Sequence, residues 1–131
     1  MPKIAIFDFD DTLIHEGFDP VIECAESYEV LRFLHSKKYI ICLATLNEYA
    51  SELSKQTSFY NYIDSFFEKN TDDFKNSHLN AIMEYYNCNP DDCIFFDDIK
   101  ENIQQARKLG IKSKLVNYKK GVTMNNVLTM I

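Results

Sequence analysis

Two close pairs of aspartates hold most of the chemistry this chain can do. Asp8 and Asp10 close the apolar run Ile4 to Phe9, and Asp97 and Asp98 close the run Cys93 to Phe96. Carboxylates crowded together repel one another, and they take up protons unless a cation neutralises them. A divalent metal resolves the repulsion. Oxygen-only ligands favour Mg2+, which keeps several waters and uses one or two carboxylates together with phosphate oxygens. Lys75, opening a helical pattern ahead of the second pair, offers a further positive charge, and Thr45 with Asn47 follows the apolar run Tyr39 to Ala44. An isolated Asp-x-Asp is usually a solvated turn; two pairs behind two buried strands read as a site.

The elements that must position these residues are legible as an alternation. Short apolar runs suited to strands buried on both faces occur at Ile4 to Phe9, Tyr39 to Ala44, Cys93 to Phe96 and Lys114 to Val116, with a weaker one at Ser65 to Phe67. Helical spacing lies between them: Val30, Leu31 and Leu34; Leu79, Ile82, Met83 and Tyr86; then Ile99, Ile103 and Ala106, closed by Gly110. A helix start falls near Ser77, and Pro90 with Asp91 and Asp92 makes a turn before the strand at Cys93. Ile14 to Glu26 reads as a loop entering a helix. Alternating strands and helices imply βαβ units, a parallel sheet and right-handed crossovers, a doubly wound, Rossmann-like α/β fold. Ligands in such sheets sit at the carboxyl ends of the strands, where the polar residues above fall. At 131 residues the chain fits one domain, 1–131.

These residues resemble the haloacid dehalogenase superfamily over nearly the whole chain. Its signature D-x-D-x-T is similar to Asp8-Phe9-Asp10-Asp11-Thr12, its second motif to Ile40-Ile41-Cys42-Leu43-Ala44-Thr45, its third to Lys75, and its fourth to Phe95-Phe96-Asp97-Asp98 with Glu101 or Asn102 one turn on. Lys75 to Gly110 looks most like the small magnesium-dependent phosphatases. The resemblance implies five strands in the order 3-2-1-4-5 and a Mg2+-dependent phosphomonoester hydrolase working through an aspartyl-phosphate. It implies that Asp8 attacks phosphorus while Asp10 protonates the leaving oxygen and then activates water. By the same resemblance Asp8, the Asp10 main-chain carbonyl and Asp98 hold Mg2+, with Asp97 helping either directly or from behind the ligands. Thr45 and Lys75 would bind phosphoryl oxygens; Asn47 is either a helix cap or a secondary substrate ligand, and Asn102 either orients the metal ligands or is an exposed helix residue. Where related small phosphatases carry arginine after the Thr, this chain has Leu46. Neither position at which relatives insert a cap domain has room for one.

Composition narrows the partners. A formal charge of -6 argues against nonspecific nucleic-acid binding, although an uncapped site admits a protein phosphoresidue or a nucleic-acid end as well as a small phosphorylated molecule. The longest apolar stretches fall far short of the roughly 20 residues that cross a bilayer, and no signal peptide is legible, so a cytoplasmic location is expected. Cys24, Cys42, Cys88 and Cys93 read as reduced thiols filling the core, with Cys24 in a helical pattern, and His15, His35 and His78 carry no assigned chemistry. A receiver-like phosphoacceptor domain is the competing class. There the acceptor Asp ends the third strand, whereas here that strand ends near Phe67-Glu68-Lys69.

Overall fold

The computed structural model describes residues 2–69, 73 and 75–131. Its elements run β1 (Ile4–Phe7), β2 (Ile14–His15), β3 (Ile22–Glu23), α1 (Ser27–Ser36), β4 (Ile40–Thr45), α2 (Ala50–Ser54), β5 (Ser65–Glu68), α3 (Asn76–Tyr86), β6 (Cys93–Asp97), α4 (Lys100–Lys108), β7 (Lys112–Leu115) and α5 (Met124–Leu128). Five strands form one parallel sheet in the order β5-β4-β1-β6-β7, which is the expected 3-2-1-4-5 once the hairpin β2–β3 is set aside.

Alternate side chains on the central strands point to opposite faces, and each face has its own core. Ala5, Phe7, Ile41, Leu43, Ile94 and Phe96 pack with Val30, Leu31 and Leu34 of α1 and Val127 of α5. Phe7 and Phe96 stack there at 4.9 Å. Ile4, Ile6, Cys42, Ala44, Cys93 and Phe95 pack on the other face with Leu79 and Ile82 of α3 and Ile103 and Ala106 of α4. Burial on both faces explains why these strands read as continuous apolar runs.

Four local readings are corrected. The last strand lies at Lys112–Leu115 rather than Lys114 to Val116, because it is an edge strand whose exposed residues carry little apolar signal. Ile14 to Glu26 contains the antiparallel hairpin β2–β3, too short to show an alternation. Cys24 follows that hairpin and precedes α1, with its Sγ 4.0 Å from His15 Nδ1. Ile99 stands at the N-cap of α4, 47% exposed, outside the apolar stripe assigned to it. Gly110 does terminate α4, at φ +88°, where a side chain would strain the backbone. Between β5 and α3 the chain has only residues 69–75, and no cap domain is found among the described residues.

Candidate active site

The cleft that matters opens at the carboxyl ends of β1, β4 and β6. β1 gives way to a tight turn in which the Phe9 carbonyl accepts from the amides of Thr12, Leu13 and Ile14, and the Asp8 amide donates to the Phe96 carbonyl at 2.9 Å. Asp11 takes φ 60°, a left-handed conformation that aspartate tolerates better than most residues, and its carboxylate accepts the Glu16 amide at 3.0 Å. This turn aims Asp8 and Asp10 into the cleft, which is lined also by Thr45, Lys75 and Asp98.

Asp8 is buried and held at both oxygens. Lys75 Nζ lies 2.5 Å from Oδ1, and the Thr12 hydroxyl donates to Oδ2 at 3.1 Å. The same Lys75 reaches Asp97 Oδ2 at 2.8 Å, where Asn102 Nδ2 also donates at 3.1 Å, while Asp97 Oδ1 accepts the Ile99 amide at 2.9 Å. Burial alone would lower the Lys75 pKa, but the charges of Asp8 and Asp97 outweigh it and hold the ammonium above its ordinary value. Burial, and next the Asp8 charge, push the Asp97 carboxyl up to about 6 against the pull of Lys75.

Asp98 is placed differently. Its Oδ1 is buried and makes no hydrogen bond among the described residues. Carboxylate oxygens of Asp8, Asp97 and Asp98 all lie within 4.8 Å of one another. Burial, the adjoining Asp8 side chain and the Asp97 charge push the Asp98 carboxyl up to about 8. The group is a set of hard oxygen donors whose charges are balanced only in part by Lys75, an arrangement that suits a divalent cation.

Asp10 meets Asn47 from the neighbouring strand end, with Asn47 Nδ2 at 3.1 Å and 3.4 Å from its two oxygens. Burial raises the Asp10 pKa above the ordinary 3.8, Asn47 opposes this, and the Asp8 charge adds to it. Asn47 does not cap α2, whose N-cap is Tyr49. Thr45 Oγ1 accepts the Asn47 amide at 3.0 Å, which leaves the hydroxyl proton free to point at a ligand. All of the expected residues, Asp8, Asp10, Thr45, Asn47, Lys75, Asp97 and Asp98, therefore gather within one cleft and its immediate supports. Thr12, Asp11, Glu16 and Ile99 were given no role in the chemistry. Thr12 and Asp11 had a signal as members of the D-x-D-x-T stretch, and Glu16 lay in the loop just after it; Ile99 had none before the α4 cap was in view.

His78, buried one turn into α3, accepts the Lys69 amide on Nε2 at 3.1 Å and so ties the end of β5 to the helix that carries Lys75. At that end of β5, Glu68 accepts the Ser51 amide and hydroxyl, each at 2.6 Å. The carboxylate at the third strand's end is thus a glutamate engaged with α2.

Residues 24–130 match the sequence model of a family described as acid phosphatase. The chain belongs to the acid phosphatase family. It is accordingly a phosphatase, a hydrolase, and its fold is that of the haloacid dehalogenase group. A phosphatase from Clostridium difficile superposes with a TM-score of 0.80 at 17% identity, over 98% of this chain and 91% of that one. A haloacid dehalogenase-like hydrolase from Streptococcus pneumoniae gives 0.75 at 12%, over 98% and 90%. The N-terminal part of a Bacteroides fragilis protein, containing a phosphatase domain complexed with Mg, gives 0.76 at 16%, over 98% of this chain and 40% of that one. Such identities carry the fold only. No curated protein matches the chain. For this acid phosphatase family member, no described helix is long and apolar enough to cross a membrane.

Proposed function

We propose that residues 1–131 act as one Mg2+-dependent phosphomonoester hydrolase that passes through an aspartyl-phosphate on Asp8. The observation that carries this reading is the buried Asp8–Lys75–Asp97 bridge lying beside an Asp98 oxygen with no protein partner. Asp8 presents a fixed oxygen to a phosphoryl group lodged between Thr45 and Lys75. The Asp8 carboxylate oxygen forms a bond to phosphorus as the bond to the leaving oxygen breaks. Asp10, whose raised pKa suits a general acid, gives its proton to that leaving oxygen. Water then attacks phosphorus, its proton passes to the Asp10 carboxylate, and the bond from phosphorus to Asp8 breaks to return the free carboxylate and inorganic phosphate. Asn47 keeps Asp10 aimed at this path.

The oxygen donors fit Mg2+: Asp8, Asp98 and the Asp10 main-chain carbonyl would hold it. Asp97, with its oxygens taken by Lys75, Asn102 and the Ile99 amide, supports a role in fixing Lys75 more than one as a ligand. When bound, Mg2+ offsets carboxylate repulsion and charge on the phosphoryl oxygens. A Mg-bound phosphatase domain among the structural relatives agrees with this choice. The Thr45 hydroxyl and the Lys75 ammonium stabilise charge on the transferring group. The substrate is a phosphorylated small molecule or protein.

The test is hydrolysis of an activated aryl phosphate with and without Mg2+ by the wild type and by Asp8→Asn. Wild-type turnover that needs Mg2+, and a loss of several decades in the variant, are expected. Comparable rates in both proteins would end the proposal.

A further inference from the structure

Beyond the phosphoryl position, the cleft is lined by two exposed apolar side chains, Leu46 at 38% and Ile99 at 47%, and by Asp11 and Glu16. Among the described residues the lining holds five carboxylates, and Lys75 is its one basic residue. That ammonium is 3% exposed and already shared between Asp8 and Asp97, so it cannot also receive an anion on the leaving group. A bound dication would still leave the wall acidic. The Asp11 carboxylate is held by the Glu16 amide across the hairpin turn, which keeps the two residues side by side at the cleft.

We propose that this rim selects the leaving group: Leu46 and Ile99 favour an apolar one, and Asp11 and Glu16 favour an uncharged or cationic one over one bearing a second carboxylate or phosphate. The inference rests on the phosphatase reading above and deepens it. An anionic tail leaving a buried phosphate site passes acids with no free basic side chain among the described lining residues to meet it, whereas an ammonium tail meets two carboxylates; such fields act on encounter and binding and are screened by salt.

The experiment uses three aryl phosphates that share one phenol ring and differ only at a short para tail, ending in an ammonium, an amide or a carboxylate. Intrinsic reactivity is then matched, and kcat/KM reports the rim. In saturating Mg2+ at about 10 mM ionic strength, where the screening length is about 30 Å, the order should be ammonium, amide, carboxylate, spanning about tenfold. At about 1 M, where that length is about 3 Å, the span should shrink to about twofold. Asp11→Asn and Glu16→Gln should each raise kcat/KM for the carboxylate ester relative to the ammonium ester. Leu46→Ser and Ile99→Ser should each raise KM for the amide ester by at least about fivefold, as lost apolar contact does. Turnover of all three esters without this ordering, or an ordering unmoved by salt and by both acid variants, overturns the charge selection while the phosphatase reading stands. An unchanged KM in both serine variants overturns the apolar part. No turnover of any ester with Mg2+ would instead remove the phosphatase reading itself.

Discussion

Lys75 sits where two carboxylates need it, and its loss shows what the bridge holds. Replacing it by Met leaves Asp8 and Asp97 buried without a counter-charge, so Lys75→Met should lower unfolding free energy by about 3–5 kcal/mol in chelator, read from denaturant midpoints. Added Mg2+ should recover part of that loss, since a ligand that binds only the folded state stabilises it. A variant as stable as wild type in chelator would contradict the bridge. At the same scale, Asp98→Ala should weaken Mg2+ binding by at least about tenfold in calorimetric titration, whereas Asp10→Asn should retain it better, because Asp10 would offer a main-chain carbonyl. Equal losses would redistribute the ligand roles. The aspartates and Thr45 were legible because each stands at a motif position behind an apolar run, and Lys75 because it opens a helical pattern. The grip of Asn47 on Asp10 was hidden, since it exists only once β4 lies beside β1, and an Asn shortly before a helix looks like a cap.

Among elements, the hairpin β2–β3 and the segment before α5 fix the motif turn from outside the sheet. The Val122 amide donates to the Thr12 carbonyl at 2.8 Å, and Gly121, at φ +74°, lies so close that a Cβ would overlap the Cys24 side chain and stand 2.8 Å from the Thr12 oxygen. Gly121→Ala should therefore destabilise by at least about 2 kcal/mol, with the loss of melting temperature checked by calorimetry; a neutral change would mean the segment yields freely. A second element-level device is His78. Burial first, then the Lys75 charge, lower its pKa below the ordinary 6.5. Between the lowered value and 6.5 the unfolded chain binds more protons than the folded one, so this contribution is present above pH 6.5 and lost as pH falls through it. Compared with His78→Gln, which can still accept from Lys69 and does not titrate, wild type should lose more stability from pH 7.5 to 5.5. Parallel pH profiles for the two proteins would refute this. Strands and helices of the two-faced core were readable from apolar runs and helical spacing. The hairpin, α2 and α5 were not: they are too short for a period to repeat, and they are held by contacts from distant parts of the chain, as in the Met124 amide donating to Glu26 at 3.0 Å.

At the scale of the molecule, the doubly wound sheet carries its acids at the ends of β1 and β6 and its hydroxyl and amide at the end of β4, so neighbouring strand ends converge on one cleft, with no cap above it among the described residues. The order of strands followed from the resemblance, and the alternation alone gave the parallel sheet; which strand ends would share a cleft needed both. Few groups touch a substrate beyond its phosphate, and single apolar contacts are worth about 1–3 kcal/mol, so kcat/KM across small phosphomonoesters should spread over roughly two decades or fewer. One metabolite better than its neighbours by about four decades would require a lid that the described residues do not supply. The central claim is the covalent step on Asp8, and trapping tests it most directly. The enzyme is mixed with an aryl phosphate and Mg2+, quenched within a turnover and treated with borohydride, which reduces an acyl phosphate but leaves a free carboxylate alone. Peptide mass spectrometry should then find homoserine at position 8, dependent on substrate and absent when Asp8→Asn is used. Active enzyme whose Asp8 remains unreduced under conditions that convert a known acyl phosphate, or homoserine found at Asp10 instead, would contradict the account.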